Sequence, residues 1–365
     1  MDRENAIRKF KEEVIDELIG EGKAQFKEIF SNNEELLKET ILEGIKGLIK
    51  KAKQEQEKNI NYKLAILHFE LLRINILEEN FKICLHGYNN LWYLDSAPIY
   101  KEIDLKFLFE PFIKIKQKLK EKKKSYIGKI NDYDIEKVMF DPVIECYSSI
   151  SDNVRSWLWD LDEEAWMKED ALSSFYVVKW GEYHDKSETL FAMDNREKTI
   201  NDLLEFKNQP EEKQAFIYSV WKDSLLEEGD LTKQNMLFIN FKGSKLKKIN
   251  FSESDIIKGQ FKNTYIKNCK FENARLIGTV FENSIFEDTN FNNANCMGVN
   301  FIKAEFSYVD FSNANLTKAN FTNAKFDHVS FENANVEDAI FSERDIPFIH
   351  LTPKQLQVIY IEGGM

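Results

Sequence analysis

The sequence predicts a two-part α+β chain: a mainly α-helical domain over residues 1–230, a β-solenoid over 231–346 and a short helical cap over 347–365. Three observations lead there. Phe recurs every tenth residue from Phe241 to Phe341, with an apolar residue midway between. Residues 1–230 instead carry apolar positions at i, i+3 and i+4, the period of a helix. Proline is absent from Glu211 to Ile346 and returns at Pro347, where the five-residue pattern stops.

In the first region, Ala6, Ile7, Phe10, Val14, Ile15, Leu18 and Ile19 mark one helical face, which Gly20 and Gly22 are expected to end. Leu36, Leu37, Ile41, Leu42, Ile45, Leu48 and Ile49 mark a second. Helical patterns continue through YKLAILHFELLRINILEENF, KFLFEPFIKIKQKLKEKKKS, DEEAWMKEDALSS, REKTINDLLEF and PEEKQAFIYSVWKDSLL. The segment FYVVKWGEY, followed by HDKS and ETLFAM, reads as a β-hairpin. The stretch EEGDLTKQ, 227–234, is expected to join the two parts, with a contribution to the first coil as an alternative.

A spacing of five fits neither strand nor helix. The large residues are Phe241, Phe251, Phe261, Phe271, Phe281, Phe291, Phe301, Phe311, Phe321, Phe331 and Phe341, with Leu246, Ile256, Ile266, Leu276, Phe286 and their successors between. Two residues before nearly every centre sits a small or β-branched side chain, such as Ser244, Thr264, Ala274, Ala304 or Ala339. If both positions point inward, the chain turns a corner every five residues. Four corners make a coil of about twenty, and coils stack as parallel rungs about 4.7–4.9 Å apart. Phe residues twenty apart then form columns on opposite walls. Asn263, Asn273, Asn283, Asn293, Asn313, Asn323, Asn333, Gly278 and Gly298 fall two residues after a centre, where a corner needs φ > 0. A ladder that uses every backbone N–H also accounts for the missing proline.

The motif of small residue, Asn or Asp, Leu or Phe, then two variable residues, seen in ANLTKANFTNAKF and ANCMGVNF, resembles the pentapeptide-repeat family over roughly 236–346. That resemblance implies a right-handed quadrilateral β-helix. The ending LTPKQLQVIYIEGGM resembles the family's C-terminal cap, with Thr352 as N-cap, Pro353 as first helical residue, and Leu356 and Ile359 as an apolar stripe. A helix of this kind forms a dimer in some relatives, so a homodimer through it is one expectation.

Composition narrows the chemistry. The net charge of −12 does not favour nucleic acid or anionic lipid, no apolar run approaches a membrane span, and the start MDRENAIRKFKEEV lacks the apolar core of a signal peptide. With Cys84, Cys146, Cys269 and Cys296 scattered, reduced thiols and a cytoplasmic location are expected. No phosphate loop, zinc, nucleophile-elbow or dinucleotide motif occurs, so no cofactor is expected. His68 reads as a buried imidazole in an apolar helix, and His86, His184, His328 and His350 show no ligand spacing. The stretch SWLWDLDEEAWMKED offers Asp160, Asp162, Glu163 and Glu164 as hard-cation candidates, although Asp162 capping a helix explains them more simply. The basic run KIKQKLKEKKKSYIGK, 114–129, reads as a solvated helix face with Ile115 and Leu119 inward.

Three functions follow as expectations. The first is a non-enzymatic interaction or scaffold protein, in which the helical domain and the rigid solenoid bind a protein partner. The second, implied by the resemblance, is binding of a topoisomerase (gyrase) by imitation of DNA. Residues 241–346 carry 13 Lys and Arg against 14 Asp and Glu, whereas duplex DNA of about 25 Å bears roughly fifteen charges, which argues against it. The third is an unrecognised enzyme in the helical domain.

Overall fold

The computed structural model describes residues 2–208 and 216–363. The chain divides into two compact units, Met1–Met193 and Asp194–Met365.

The first unit sets helices against one face of a five-stranded sheet. Its helices are α1 (Arg3–Phe10), α2 (Asp16–Asn32), α3 (Glu34–Lys58), α4 (Arg73–Leu77), α5 (Lys106–Lys122), α6 (Asp132–Ser149) and α7 (Ser151–Trp157). Its strands are β1 (Leu64–Leu71), β2 (Lys82–Tyr88), β3 (Ile99–Asp104), β4 (Leu172–Glu182) and β5 (Ser187–Asp194), in the order β3-β2-β1-β4-β5. β1 is antiparallel to β2 and parallel to β4. Gly20 and Gly22 lie inside α2 rather than ending it. At Gly22 a Cβ would stand 2.3 Å from Ile115 Cδ1, so α5 sits against α2 where that side chain is missing.

Two expected helices are replaced by other structure. LAILHFEL is strand β1, because a central strand buried on both faces lacks the apolar/polar alternation that would mark it, and its short apolar run also suits a buried helix. DEEAWMKEDALSS forms two 3₁₀ turns, Leu161–Glu163 and Ala165–Met167, before β4 begins. The expected hairpin is present as β4 and β5, neighbours joined by residues 183–186.

In the second unit, backbone bridges join residues twenty apart, from Val220↔Asn240 through Asn315↔Asn335. The repeat makes about 7 turns, so it starts earlier than the phenylalanines announce. Part of PEEKQAFIYSVWKDSLL lies outside the described residues, and the remainder, from Phe216, is the first coil rather than a helix. Phe216, Trp221, Leu226, Leu231 and Met236 occupy the inward centres before Phe241. The helix Ile200–Asn208 places Leu203 in the same core, at this end of the coil.

Inside, the phenylalanines stand in columns. Phe251–Phe271, Phe271–Phe291 and Phe291–Phe311 stack with centroids 4.8 Å apart. The neighbouring column meets this one edge to face, as at Phe271–Phe281, 6.1 Å and 82°. The small inward position carries hydroxyls early and methyls late. Ser244, Ser254, Thr264 and Thr279 donate to carbonyls 23 residues earlier at 2.6–2.9 Å, whereas Ala294, Ala304, Ala314 and Ala324 only fill space. Every fifth residue from Tyr218 to Asp338 has a φ of about +50° to +70°. Asn and Gly were expected there, yet Lys258, Asp288, Lys303, Tyr308 and His328 adopt the same backbone, so the ladder imposes it.

The terminal segment departs from its expected helix. Thr352 and Gln355 form a capping box around the single turn Pro353–Leu356, which is too short for the apolar stripe expected of it. Gln355 Nε2 donates to the carbonyls of Phe331 and Ala334 at 2.9 and 3.0 Å, and Tyr360–Glu362 adds a parallel strand beside Ile340–Ser342. Backbone hydrogen bonding therefore continues one rung past the last Phe.

Phe301 touches both columns and is fully buried. Phe301→Ala is expected to cost about 3–5 kcal/mol in denaturant unfolding of the full chain; an unchanged midpoint would contradict its inward position.

Candidate functional site

Strand alternation sorts the first unit's sheet into two faces. Leu67, Phe69, Leu71, Ile83 and Leu85 point to the helices, while His68, Glu70, Cys84, His86 and Tyr88 point the other way. Register sets His68 opposite His86 on β2 and beside Lys179 on β4. Chemistry that looks scattered in sequence thus meets on one face.

Glu70 is the centre of that face. Its side chain has 0% exposure, and its two oxygens lie 2.6 Å from Nδ1 of His68 and Nδ1 of His86. A proton on Nδ1 makes each contact attractive, although the His86 approach lies outside hydrogen-bond geometry. Tyr88 Oη donates to Glu70 at 3.2 Å, and Tyr93 Oη reaches it at 3.4 Å and His68 Nδ1 at 3.3 Å. Burial alone would raise the Glu70 pKa, but the two imidazoles outweigh it and hold the carboxyl down to about 2. The Tyr93 hydroxyl is pushed up to about 12 by burial and the Glu70 charge.

Two short loops lie over the cluster. Trp92 and His184 both have left-handed backbone, φ 53° and 54°, which is uncommon for such side chains. Tyr93 stacks on His184 at 4.1 Å, and the Trp92 ring meets His68 edge-on at 6.2 Å. Residue-by-residue reading missed this site. It placed His68 on a helix and saw no partner for His86, because only strand register brings His68, Glu70 and His86 together. The one local signal is the HFE triplet at 68–70, whose alternation puts His and Glu on the same face.

The other candidates stay apart. Asp162 is buried in its 3₁₀ turn, while Asp160, Glu163 and Glu164 are exposed, and Glu164 accepts from Trp166 Nε1 at 3.0 Å. Among the described residues no group of three or more His, Cys, Asp and Glu is placed to hold a metal ion. In the basic run, Ile115 and Leu119 are buried, Lys116 pairs with Glu79 at 2.9 Å and Lys123 with Asp132 at 2.7 Å.

On the solenoid, outward charges pair at the coil spacing: Lys247–Glu227 and Lys248–Glu228 at 2.6 Å, Lys267–Glu287 at 2.8 Å, Arg275–Asp255 at 2.9 Å and Lys325–Glu305 at 2.6 Å. His328, which showed no partner in sequence, contacts Asp327 and stacks on Tyr308 of the preceding rung. One six-stranded face aligns Leu225, Lys245, Tyr265, Ile285, Glu305 and Lys325 in a single outward column. Leu225 and Ile285 are 58% and 40% exposed.

Comparison with known proteins bears on this second unit. Residues 264–341 match the family model described as a pentapeptide repeat region, and residues 235–273 match pentapeptide repeats (8 copies). Residues 235–341 are therefore pentapeptide-repeat sequence. Among solved structures, HetL, a pentapeptide repeat protein involved in heterocyst differentiation regulation from the cyanobacterium Nostoc, is similar at 13% identity. That match covers 40% of this chain and 97% of HetL, with a TM-score of 0.24. QnrB1, a plasmid-mediated fluoroquinolone resistance protein, is similar at 17% identity over 40% of this chain and 84% of its own, with a TM-score of 0.23. Rfr23 from the cyanobacterium Cyanothece is 16% identical over 37% and 97%, with a TM-score of 0.21. No curated protein matches the chain.

The lowered Glu70 pKa fixes a sign. A carboxyl held at about 2 against an ordinary 4.5 stabilises the fold above pH 4.5, and that contribution is lost as pH falls toward 2. Glu70→Gln is expected to cost about 2–3 kcal/mol at neutral pH, with the gap to wild type narrowing across that acid window in pH-dependent denaturant melts. A gap that is constant from pH 7 to pH 2 would contradict the assignment.

Proposed function

We propose that this chain, with its pentapeptide-repeat unit, is a non-enzymatic interaction protein that presents the six-stranded solenoid face to a protein partner. One observation carries the reading: outward charges twenty residues apart neutralise one another rung by rung, while Leu225 and Ile285 stand exposed in the outward column that also holds Lys245 and Tyr265. Such a face is stiff before binding, so little conformational entropy is lost on docking. The helix-and-sheet unit supplies a second binding surface in this account. No helix among the described residues is long and apolar enough to cross a membrane, which is consistent with a partner met in solution.

Imitation of DNA fits less well. From Phe216 to Ile346 the solenoid carries 15 Lys and Arg against 18 Asp and Glu. A rod of about 30 Å would need roughly eighteen uncompensated negative charges to match a duplex. Of those acids, Glu227, Glu228, Asp255, Glu287 and Glu305 are moreover paired across rungs.

The double variant Leu225→Glu/Ile285→Glu tests the proposed face. Both residues are partly exposed, so the unfolding midpoint should shift by no more than about 0.5 kcal/mol. Affinity purification of the wild-type chain from its host should recover a stoichiometric protein partner, and the double variant should lose it. Recovery of the same partner in equal yield by both forms, or of a lone monomer, would refute the proposal.

A further inference from the structure

The open sheet face of the first unit holds three polar groups that the Glu70 cluster does not satisfy. His68 is fully buried, its Nδ1 is engaged by Glu70, and its Nε2 has no hydrogen-bond partner among the described residues. The indole Nε1 of Trp92 is buried and likewise unpartnered among them. Lys179 is half-buried, and burial pushes its ammonium pKa down. Its Nζ sits 5.0 Å from the Trp92 ring centroid and reaches Thr189 Oγ1 at 3.4 Å, with no carboxylate in ion-pair range among the described residues.

These groups belong to one neighbourhood. His68 and Lys179 are partners in the β1–β4 register, and the Trp92 ring touches both side chains. An ammonium and an indole N–H are donors, and buried donors normally find acceptors. The one nearby anion, Glu70, is already engaged by two imidazoles and two tyrosines. The left-handed backbone at Trp92 holds the indole over the sheet at a conformational cost, a feature that tends to mark functional positions.

We propose that His68, Trp92 and Lys179 bind a small oxyanion, and that binding takes up one proton. With Nδ1 protonated, a neutral His68 offers a lone pair at Nε2, which an anion oxygen repels. A second proton turns Nε2 into a donor, while Nδ1 stays against Glu70. The groups facing His68 are Glu70 on its own strand, His86 on β2, Tyr93 on the covering turn and Lys179 on β4. Anion binding is therefore coupled to proton uptake at Nε2, and affinity rises as pH falls.

Sulfate is the probe, because it stays fully ionised across neutral pH and any pH dependence must come from the protein. Calorimetric titration of the full chain should show saturable binding that weakens as pH rises, by up to about tenfold per pH unit for one proton taken up. Trp92→Phe keeps the ring but removes the N–H, Lys179→Gln removes the cation, and each should weaken binding at least tenfold with the unfolding midpoint preserved. His68→Gln should flatten the pH dependence. Absence of saturable sulfate binding to wild type overturns the proposal, and so does an affinity unaltered in both the Trp92 and Lys179 variants. If the His68 variant fails to fold, a pH-independent affinity in wild type alone refutes the proton linkage.

Discussion

The solenoid rests on a coincidence of lengths. Parallel strands repeat at about 4.7–4.9 Å, and stacked phenyl rings are comfortable at nearly the same distance. The Phe251, Phe271, Phe291 and Phe311 rings stand 4.8 Å apart, so one translation satisfies backbone ladder and aromatic column together. The edge-to-face meeting of the two columns then fixes the width of the tube. With four large side chains of each coil already inside, the other inward positions hold only small residues, hence Ala294, Ala314 and Ala324.

Much else on this unit follows from the twenty-residue coil. Hydroxyls of Ser244, Ser254 and Thr264 reach carbonyls on the rung before, and Arg275 finds Asp255 because one coil separates them. Each exposed pair contributes little alone. Their common spacing matters more for function than for stability, since it leaves the outer faces regular. The sheet of the first unit obeys another logic. There a buried carboxylate organises its neighbours, and two imidazoles and two tyrosines gather about Glu70 because a buried charge left without partners would be costly.

The solenoid was legible because its period is written in large, repeated residues. What escaped was its beginning. Phe216, Trp221, Leu226, Leu231 and Met236 keep the five-residue spacing with changing residue types, and Tyr218, Asp223 and Glu228 stand at corners that carry mostly Asn or Gly further along the coil. In the first unit, α3 and α5 were readable from their stripes, but β1 was not. A strand with apolar residues on one face and a buried polar cluster on the other presents LAILHFEL, which a helix would also accept. The His68–Glu70–His86 site shares that obscurity, since it exists only once β1 and β2 are in register.

Register is thus the claim on which the solenoid stands, and in-frame deletion measures it most directly. Removal of residues 281–300 takes out one whole coil and leaves every remaining residue opposite its twenty-apart equivalent. Removal of 281–298 is two residues shorter and shifts every later rung out of phase. The first variant is expected to keep a β-type circular dichroism spectrum and one cooperative transition in this unit, while the second loses the ordered rungs beyond the deletion. Equal spectra and equal unfolding for the two would contradict a chain held together by a twenty-residue coil.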